Sequence, residues 1–253
     1  MKITEYKIKN DKFDKNCVFA LISDLHGNDA TPVIEAVGRI KPDYILAAGD
    51  IFEHLNGANA EKNKSGFELL SACSKIAPTF FAPGNHEVGG IRSWSRKWKF
   101  CTGMGKGYSD EDMKLLRETG AVFLDDGFVT YGEMAFGGLG TGLINENGKP
   151  DMSFLEEFCN HKCPKILLCH HPEYYERYLA DKDIDIVVSG HAHGGQWRFF
   201  GRGVFAPGQG LFPKYTSGIH DGRLVISKGL KKGGKIPRIF NAPEVVKIVV
   251  SNH

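Results

Sequence analysis

Five short apolar runs in this chain stop at residues of one chemical kind, and that pattern limits the fold more than any other feature. Val18 to Ser23 leads into Asp24-Leu25-His26, Tyr44 to Ala48 into Gly49-Asp50, and Thr79 to Ala82 into Pro83-Gly84-Asn85-His86-Glu87. Further on, Lys165 to Cys169 leads into His170-His171, and Ile184 to Val188 into Gly190-His191-Ala192-His193. Nearly continuous apolar runs of this length read as strands buried on both faces. Hard oxygen and imidazole donors at strand ends converge on one edge of a sheet. The spacing therefore predicts a metal site.

Helical patterns separate the strands: Pro32 to Ile40, Glu61 to Ile76, Asp110 to Glu118, Phe154 to His161 and Tyr174 to Leu179. In the second of these, Phe67, Leu69, Leu70 and Cys73 form an apolar face, and Ser109 with Asp112 reads as a helix start cap. From Phe128 the pattern changes, with Phe128 to Tyr131 and Met134 to Phe136 flanking Gly132-Glu133 as a tight hairpin. Trp197 to Phe205, Lys214 to Ile226 and Val245 to Val250 continue as strands broken by Gly and Pro. Alternating strands and helices followed by hairpins predict an α/β fold, a layered sandwich with mixed sheets, in one domain over residues 1–253.

The chain carries a net charge of +2, unevenly spread. Residues 190–253 hold ten Lys or Arg against Asp221 and Glu244, which leaves the first 189 residues at −6. An acidic body suits a site made from carboxylates, and a basic tail suits an anionic substrate. No broad basic footprint of the kind nucleic-acid binding needs is present, so nucleic acid is not the expected partner. Six scattered cysteines lack the spacing of a disulfide framework and read as reduced thiols. No stretch approaches the ~18 to 20 apolar residues of a membrane span, and the first residues show no signal pattern. A cytoplasmic protein is expected.

The donor set points to a pair of divalent ions. Two ions ~3.5 to 4 Å apart share a hydroxide and clamp a phosphoryl group, and such a pair needs a bridging carboxylate. Asp50 is the candidate bridge, because a carboxylate has two oxygens where an imidazole offers one nitrogen. Asp24 and His26 alternate by two, so on an extended segment both side chains leave the same face and grip one ion; His191 and His193 repeat that logic. Asn85 offers a neutral oxygen, and His86 is placed to give a proton to a departing alkoxide. Mixed oxygen and nitrogen donors without thiolate fit Mn, Fe or Zn.

The order Asp-x-His, Gly-Asp, Gly-Asn-His-Glu, His, Gly-His-x-His, running from Asp24 to His193, resembles the calcineurin-like metallophosphoesterase superfamily. The extension Gly190-His191-Ala192-His193-Gly194-Gly195-Gln196 and the tail with Ser227-Lys228-Gly229 and Arg238 to Glu244 are similar to a YkuE-like bacterial branch of it. The resemblance implies a four-layer α/β/β/α sandwich with two mixed sheets. It also implies Asp24, His26, Asp50 and His193 on one ion, and Asp50, Asn85, His170 and His191 on the other. His86 matches the histidine near the leaving group.

His170 follows its strand directly and is taken as the ligand, with His171 contacting substrate or supporting the site. Ile91 to Phe100 interleaves cations and aromatics; Arg92 there is a candidate substrate contact, while an irregular helix covering the core explains the same residues. Lys228, Lys231, Lys232, Lys235 and Arg238 offer a second phosphate contact. His54, His161, His220 and His253 are assigned no chemistry. The expected function is hydrolysis of a phosphodiester or pyrophosphate bond in a small phosphorylated substrate, by in-line attack of a metal-bound hydroxide. A phosphomonoesterase or protein phosphatase, and a metal-binding interaction scaffold with little turnover, are the alternatives.

Overall fold

The computed structural model describes residues 1–88, 107–142, 149–233 and 237–252. The expected buried runs form β2 (Cys17–Ile22), β3 (Tyr44–Ala48), β4 (Thr79–Ala82), β8 (Lys165–Cys169) and β9 (Ile186–Ser189), preceded by β1 (Lys2–Lys9). The hairpin forms as β6 (Gly127–Tyr131) and β7 (Met134–Leu139), with Tyr131 opposite Met134 across Gly132, whose φ of 58° suits a tight reversal. A two-residue strand, β5 (Val122–Phe123), comes before it. The tail supplies β10 (Arg198–Phe199) paired with β11 (Arg202–Gly203), and β12 (Phe205–Ala206) paired with β13 (Gly210–Leu211). It ends in β14 (Gly218–His220), β15 (Leu224–Ile226) and β16 (Glu244–Ser251).

Two mixed six-stranded sheets result, as expected for the fold class. The first has the order β1-β16-β2-β3-β4-β5 and the second β14-β15-β9-β8-β7-β6. Parallel pairing of β2, β3 and β4 in one sheet and of β7, β8, β9 and β15 in the other sends their C-terminal ends the same way within each sheet. β1 has no counterpart among the expected strands. Its residues mix lysines and one glutamate with apolar side chains, as suits a sheet edge, and it pairs in parallel with β16.

Helices α1 (Thr31–Ile40), α2 (Ala60–Ile76), α3 (Asp110–Glu118) and α4 (Leu155–Asn160) fall where the periodicity places them. Tyr175–Leu179 winds as a single π-helical turn. The Ser109 hydroxyl accepts from the Asp112 N–H at 3.1 Å, the expected cap, while the Asp112 carboxylate accepts from the Gly57 N–H at 2.7 Å. Val33, Val37, Leu69 and Leu70 of α1 and α2 pack on Ile22 and Ile45 of the first sheet. Leu155, Phe158 and Leu179 pack on Leu167 and Val187 of the second. Between the sheets lie Phe19, Phe80, Phe136, Leu168 and Val188. Among the described residues no helix is long and apolar enough to cross a membrane.

Phe80 and Phe136 come from facing strands and stack at 3.8 Å with 6° between their planes, both fully buried. Removing one ring leaves a cavity that the partner cannot fill. Phe136→Ala is expected to lower the unfolding free energy by about 3–5 kcal/mol in a urea titration.

Candidate metal centre

The five donor-bearing segments leave β2, β3, β4, β8 and β9 at their C-terminal ends and meet there. Asp24, His26, Asp50, His191 and His193 all take left-handed backbone conformations, with φ between 46° and 63°. Asp and His tolerate this region better than most residues, but each such position is held against about 1–3 kcal/mol of local strain. The expectation that Asp24/His26 and His191/His193 present their side chains from extended backbone is thereby corrected. Each strand ends in an abrupt turn, and the turn, not the strand period, aims the donors.

The expected ligands form two groups, beside which His26 also joins Glu53 and His86, and His191 joins His171 and Glu173. Asp24, His26 and His193 lie together, as do Asp50, His170 and His191, with ligand atoms within 4.8 Å of one another in each group. His191 and His193 therefore fall in different groups. Asp50 stands between them: its Oδ2 is 3.2 Å from His170 Nε2 and 3.5 Å from His26 Nε2. Asn85 sits on the turn after β4, with its Oδ1 buried and lacking a hydrogen-bond partner. The His86 ring lies 4.4 Å from that of His26, edge to face, and its Nε2 is 4.0 Å from Asp50 Oδ2.

Two glutamates fix this arrangement. Buried Glu87 accepts from the backbone N–H groups of Asp50 (2.9 Å), Phe52 (2.9 Å) and Gly84 (2.7 Å), and so ties the β3 turn to the β4 turn. Glu53 accepts from His26 Nδ1 at 3.2 Å with one oxygen and from His86 Nδ1 at 2.8 Å with the other. Neither role is evident in the sequence, although Glu53 stands three residues after Asp50 and Glu87 directly after His86. At Gly84 the approach is so close that a Cβ would lie 2.3 Å from Asp50 Oδ1. Asn241 donates to the His193 carbonyl at 2.7 Å, bracing the last donor turn from the C-terminal segment.

The protonation pattern follows from these contacts. His170 Nδ1 lies 2.7 Å from the Ala48 carbonyl, which only accepts, so Nδ1 carries the proton of the neutral ring, whose Nε2 lone pair would face Asp50. Burial opposes charging the ring, but the Asp50 carboxylate outweighs it and raises the pKa to about 10. A second proton or a metal cation relieves the same repulsion. Burial, with His171 and His170 nearby, holds His191 well below its usual range, and burial takes His193 down to about 4, so both stay neutral and able to coordinate. His86 is raised to about 9; burial opposes this, and Asp50 and Glu53 prevail. Burial and the nearby Asp50 charge raise Glu87 to about 7.

The donor set fits divalent cations. His26 Nε2, His170 Nε2 and Asn85 Oδ1 are buried without hydrogen-bond partners, an arrangement that is unfavourable unless something positive sits among them. Both imidazoles also have their Nδ1 fixed by an acceptor, the support that metal-binding histidines use.

Other expected residues divide. His171 lies beside the centre, its ring 4.3 Å from that of His191, with Nε2 3.0 Å from Thr141 Oγ1 and Nδ1 3.4 Å from Glu173 Oε1. Lys228 pairs with buried Glu244 at 2.7 Å, and Arg238 donates to the Lys228 carbonyl at 2.7 Å while lying 3.4 Å from His193 Nδ1. Of the five cations expected to offer a second phosphate contact, these two are engaged in holding the tail. His54, given no chemistry, has its ring 6.3 Å from that of His86. Arg92 with the Ile91 to Phe100 segment, and Lys235, lie outside the described residues.

The calcineurin-like phosphoesterase pattern matches residues 18–195, from β2 through the His193 turn. The chain belongs to the calcineurin-like phosphoesterase family. It is similar to uncharacterized metallophosphoesterases of Helicobacter pylori strain J99, 26% identical over 97% of this chain and 62% of that protein, and of Campylobacter jejuni, 28% identical over the same shares. It is also similar to the UDP-2,3-diacylglucosamine pyrophosphatase LpxG of Chlamydia muridarum, 26% identical over 88% of this chain and 80% of that protein. The chain spans 49% to 62% of the length of the Helicobacter and Campylobacter relatives.

Glu87→Gln replaces an acceptor with an amide N–H₂ facing backbone donors, leaving at least one buried N–H without a partner. A loss of about 1–3 kcal/mol in unfolding free energy, together with weaker uptake of metal in equilibrium dialysis, is the expected result.

Proposed function

We propose that the chain is a dinuclear metal-dependent phosphoesterase that cleaves a phosphodiester or pyrophosphate bond in a small phosphorylated substrate. One observation carries the proposal: the Asp50 carboxylate stands within 3.5 Å of an imidazole from each donor group, the position of a bridging ligand. Asp24, His26, Asp50 and His193 would hold one ion, and Asp50, Asn85, His170 and His191 the other. When bound, two divalent cations of the Mn, Fe or Zn kind supply Lewis acidity and an acidified water for in-line attack at phosphorus.

The chain's own residues do the rest. Glu53 fixes His86 Nδ1 as a donor, which leaves Nε2 as the atom that passes a proton to the leaving oxygen. Asn85 turns its amide toward the phosphoryl oxygens as charge gathers there. His171, held by Thr141 and Glu173 beside His191, orients the substrate. Support for an anhydride or diester, in preference to a monoester, comes from the similarity to a relative named as a pyrophosphatase. The same proposal takes residues 1–253 as one catalytic domain working in the cytoplasm, where the five described cysteines stand as free thiols.

Metal content by elemental analysis, with hydrolysis of aryl phosphodiester and monoester compared under added Mn²⁺ and after chelation, tests the reading. Two ions per chain and faster diester turnover that chelation abolishes are expected. Equal or faster monoester turnover overturns the substrate class, and two bound ions without turnover favour a binding scaffold. His86→Asn is expected to lower kcat by about 10²- to 10⁴-fold while both ions remain bound.

A further inference from the structure

Three phenylalanines stand where neither the core nor the backbone favours them. Phe200 forms the turn between β10 and β11, Phe212 follows β13, and Phe240 precedes β16. Their φ angles are 49°, 51° and 51°, a region that bulky side chains avoid and that turns normally fill with Gly, Asn or Asp. Phe200 is wholly exposed, and Phe212 and Phe240 are 80% and 82% exposed. Three unfavourable backbone positions thus hold three aromatic rings largely in water.

The three turns are tied to one another through backbone contacts. Trp197 bridges to Ile239, the Arg198 N–H donates to the Ile239 carbonyl at 3.0 Å, and the rings of Phe199 and Phe240 lie 6.1 Å apart. Val204 joins the second hairpin: its N–H donates to the Trp197 carbonyl at 2.9 Å, and its carbonyl accepts from the Phe212 N–H at 2.8 Å. Of the cations next to these turns, Arg202, two residues after Phe200, is exposed, Lys214, two after Phe212, is exposed and lies 3.2 Å from Glu176, and Arg238, two before Phe240, is half-buried at the Lys228 carbonyl. The whole of residues 190–253 holds ten Lys or Arg against two acids.

We propose that this surface binds peripherally to an anionic lipid bilayer, with Phe200, Phe212 and Phe240 entering the boundary between headgroups and acyl chains. Protruding aromatics in a basic setting match the chemistry of that boundary, whose surface is negative and whose depth is apolar. A second copy of the chain would bring like-charged surfaces together. The hairpins also brace the centre: Val204 N–H donates to the Gly195 carbonyl at 3.1 Å, and Arg198 donates to that of Gly194 at 2.8 Å, both in the turn that begins at His193. A seated surface therefore sets how the donor edge lies relative to the lipid. The inference is independent of any assigned reaction.

Sedimentation of the purified chain with phosphatidylcholine vesicles, with and without phosphatidylglycerol, tests it. The chain is expected to pellet with the anionic vesicles, less with phosphatidylcholine alone, and less as salt rises. In the triple variant Phe200→Asn, Phe212→Asn, Phe240→Asn, asparagine suits the left-handed backbone, so the melting temperature is expected to hold or rise. Its partition onto anionic vesicles is expected to fall at least tenfold. Wild-type chain that stays in the supernatant, or a triple variant that pellets equally well, overturns the proposal. So does a dimer in light scattering that the triple variant abolishes without any vesicle binding, which reassigns the surface to self-association.

Discussion

Asp50 is 1% exposed yet carries a carboxylate, and a group so placed is tolerable only when opposite charge and donors surround it. Here they come from every side. The His86 N–H donates to Oδ1 at 2.9 Å, while Oδ2 faces His26, His86 and His170. These partners come from the ends of β2, β4 and β8, so satisfying one carboxylate requires both sheets to be in register. Once they are, Glu87 and Glu53 lock the turns, and the imidazoles have few orientations left. Burial of this carboxylate and closure of the fold are thus one event.

Much of this was legible in the sequence because buried strands and terminal donors leave unmistakable patterns. β3, β4 and β8 fall on the predicted residues, since nothing but a strand buried on both faces accommodates such runs. β1 was not legible: an edge strand of mixed Lys and apolar residues has the composition of a surface loop until its partner, some 240 residues away, is known. The turns were misjudged for a different reason. Left-handed φ at Asp24 and His191 is a consequence of tertiary closure, and the spacing of two residues looks identical on extended backbone. Glu53 was overlooked because a glutamate beside an apolar run has no distinctive pattern until two imidazoles are seen to share it.

The basic tail shows how charge counts mislead when position is unknown. Its lysines and arginines suggested a phosphate contact, yet Lys228 is consumed by Glu244, and Arg238 by the Lys228 carbonyl next to the His193 ring. Those interactions are structural: they press residues 227–231 against the β2 turn, where the Leu230 and Lys231 N–H groups donate to the Ser23 and Asp24 carbonyls at 2.9 Å. Exposed Arg202 stands two residues after Phe200, so one stretch of sequence both tightens a donor turn and shapes the outer surface.

The position of β16 has a consequence for how the protein comes into being. This strand lies between β1 and β2, pairing in parallel with one and antiparallel with the other. A ribosome working from the N-terminus releases β1 and β2 long before their shared neighbour exists. Until residues near 250 emerge, the edge of β2 has open N–H and C=O groups that can recruit a stray strand from another nascent chain. The wait ends with a zipper-like insertion of Glu244–Ser251, which makes the emergence of β16 the moment at which the first sheet ceases to be sticky.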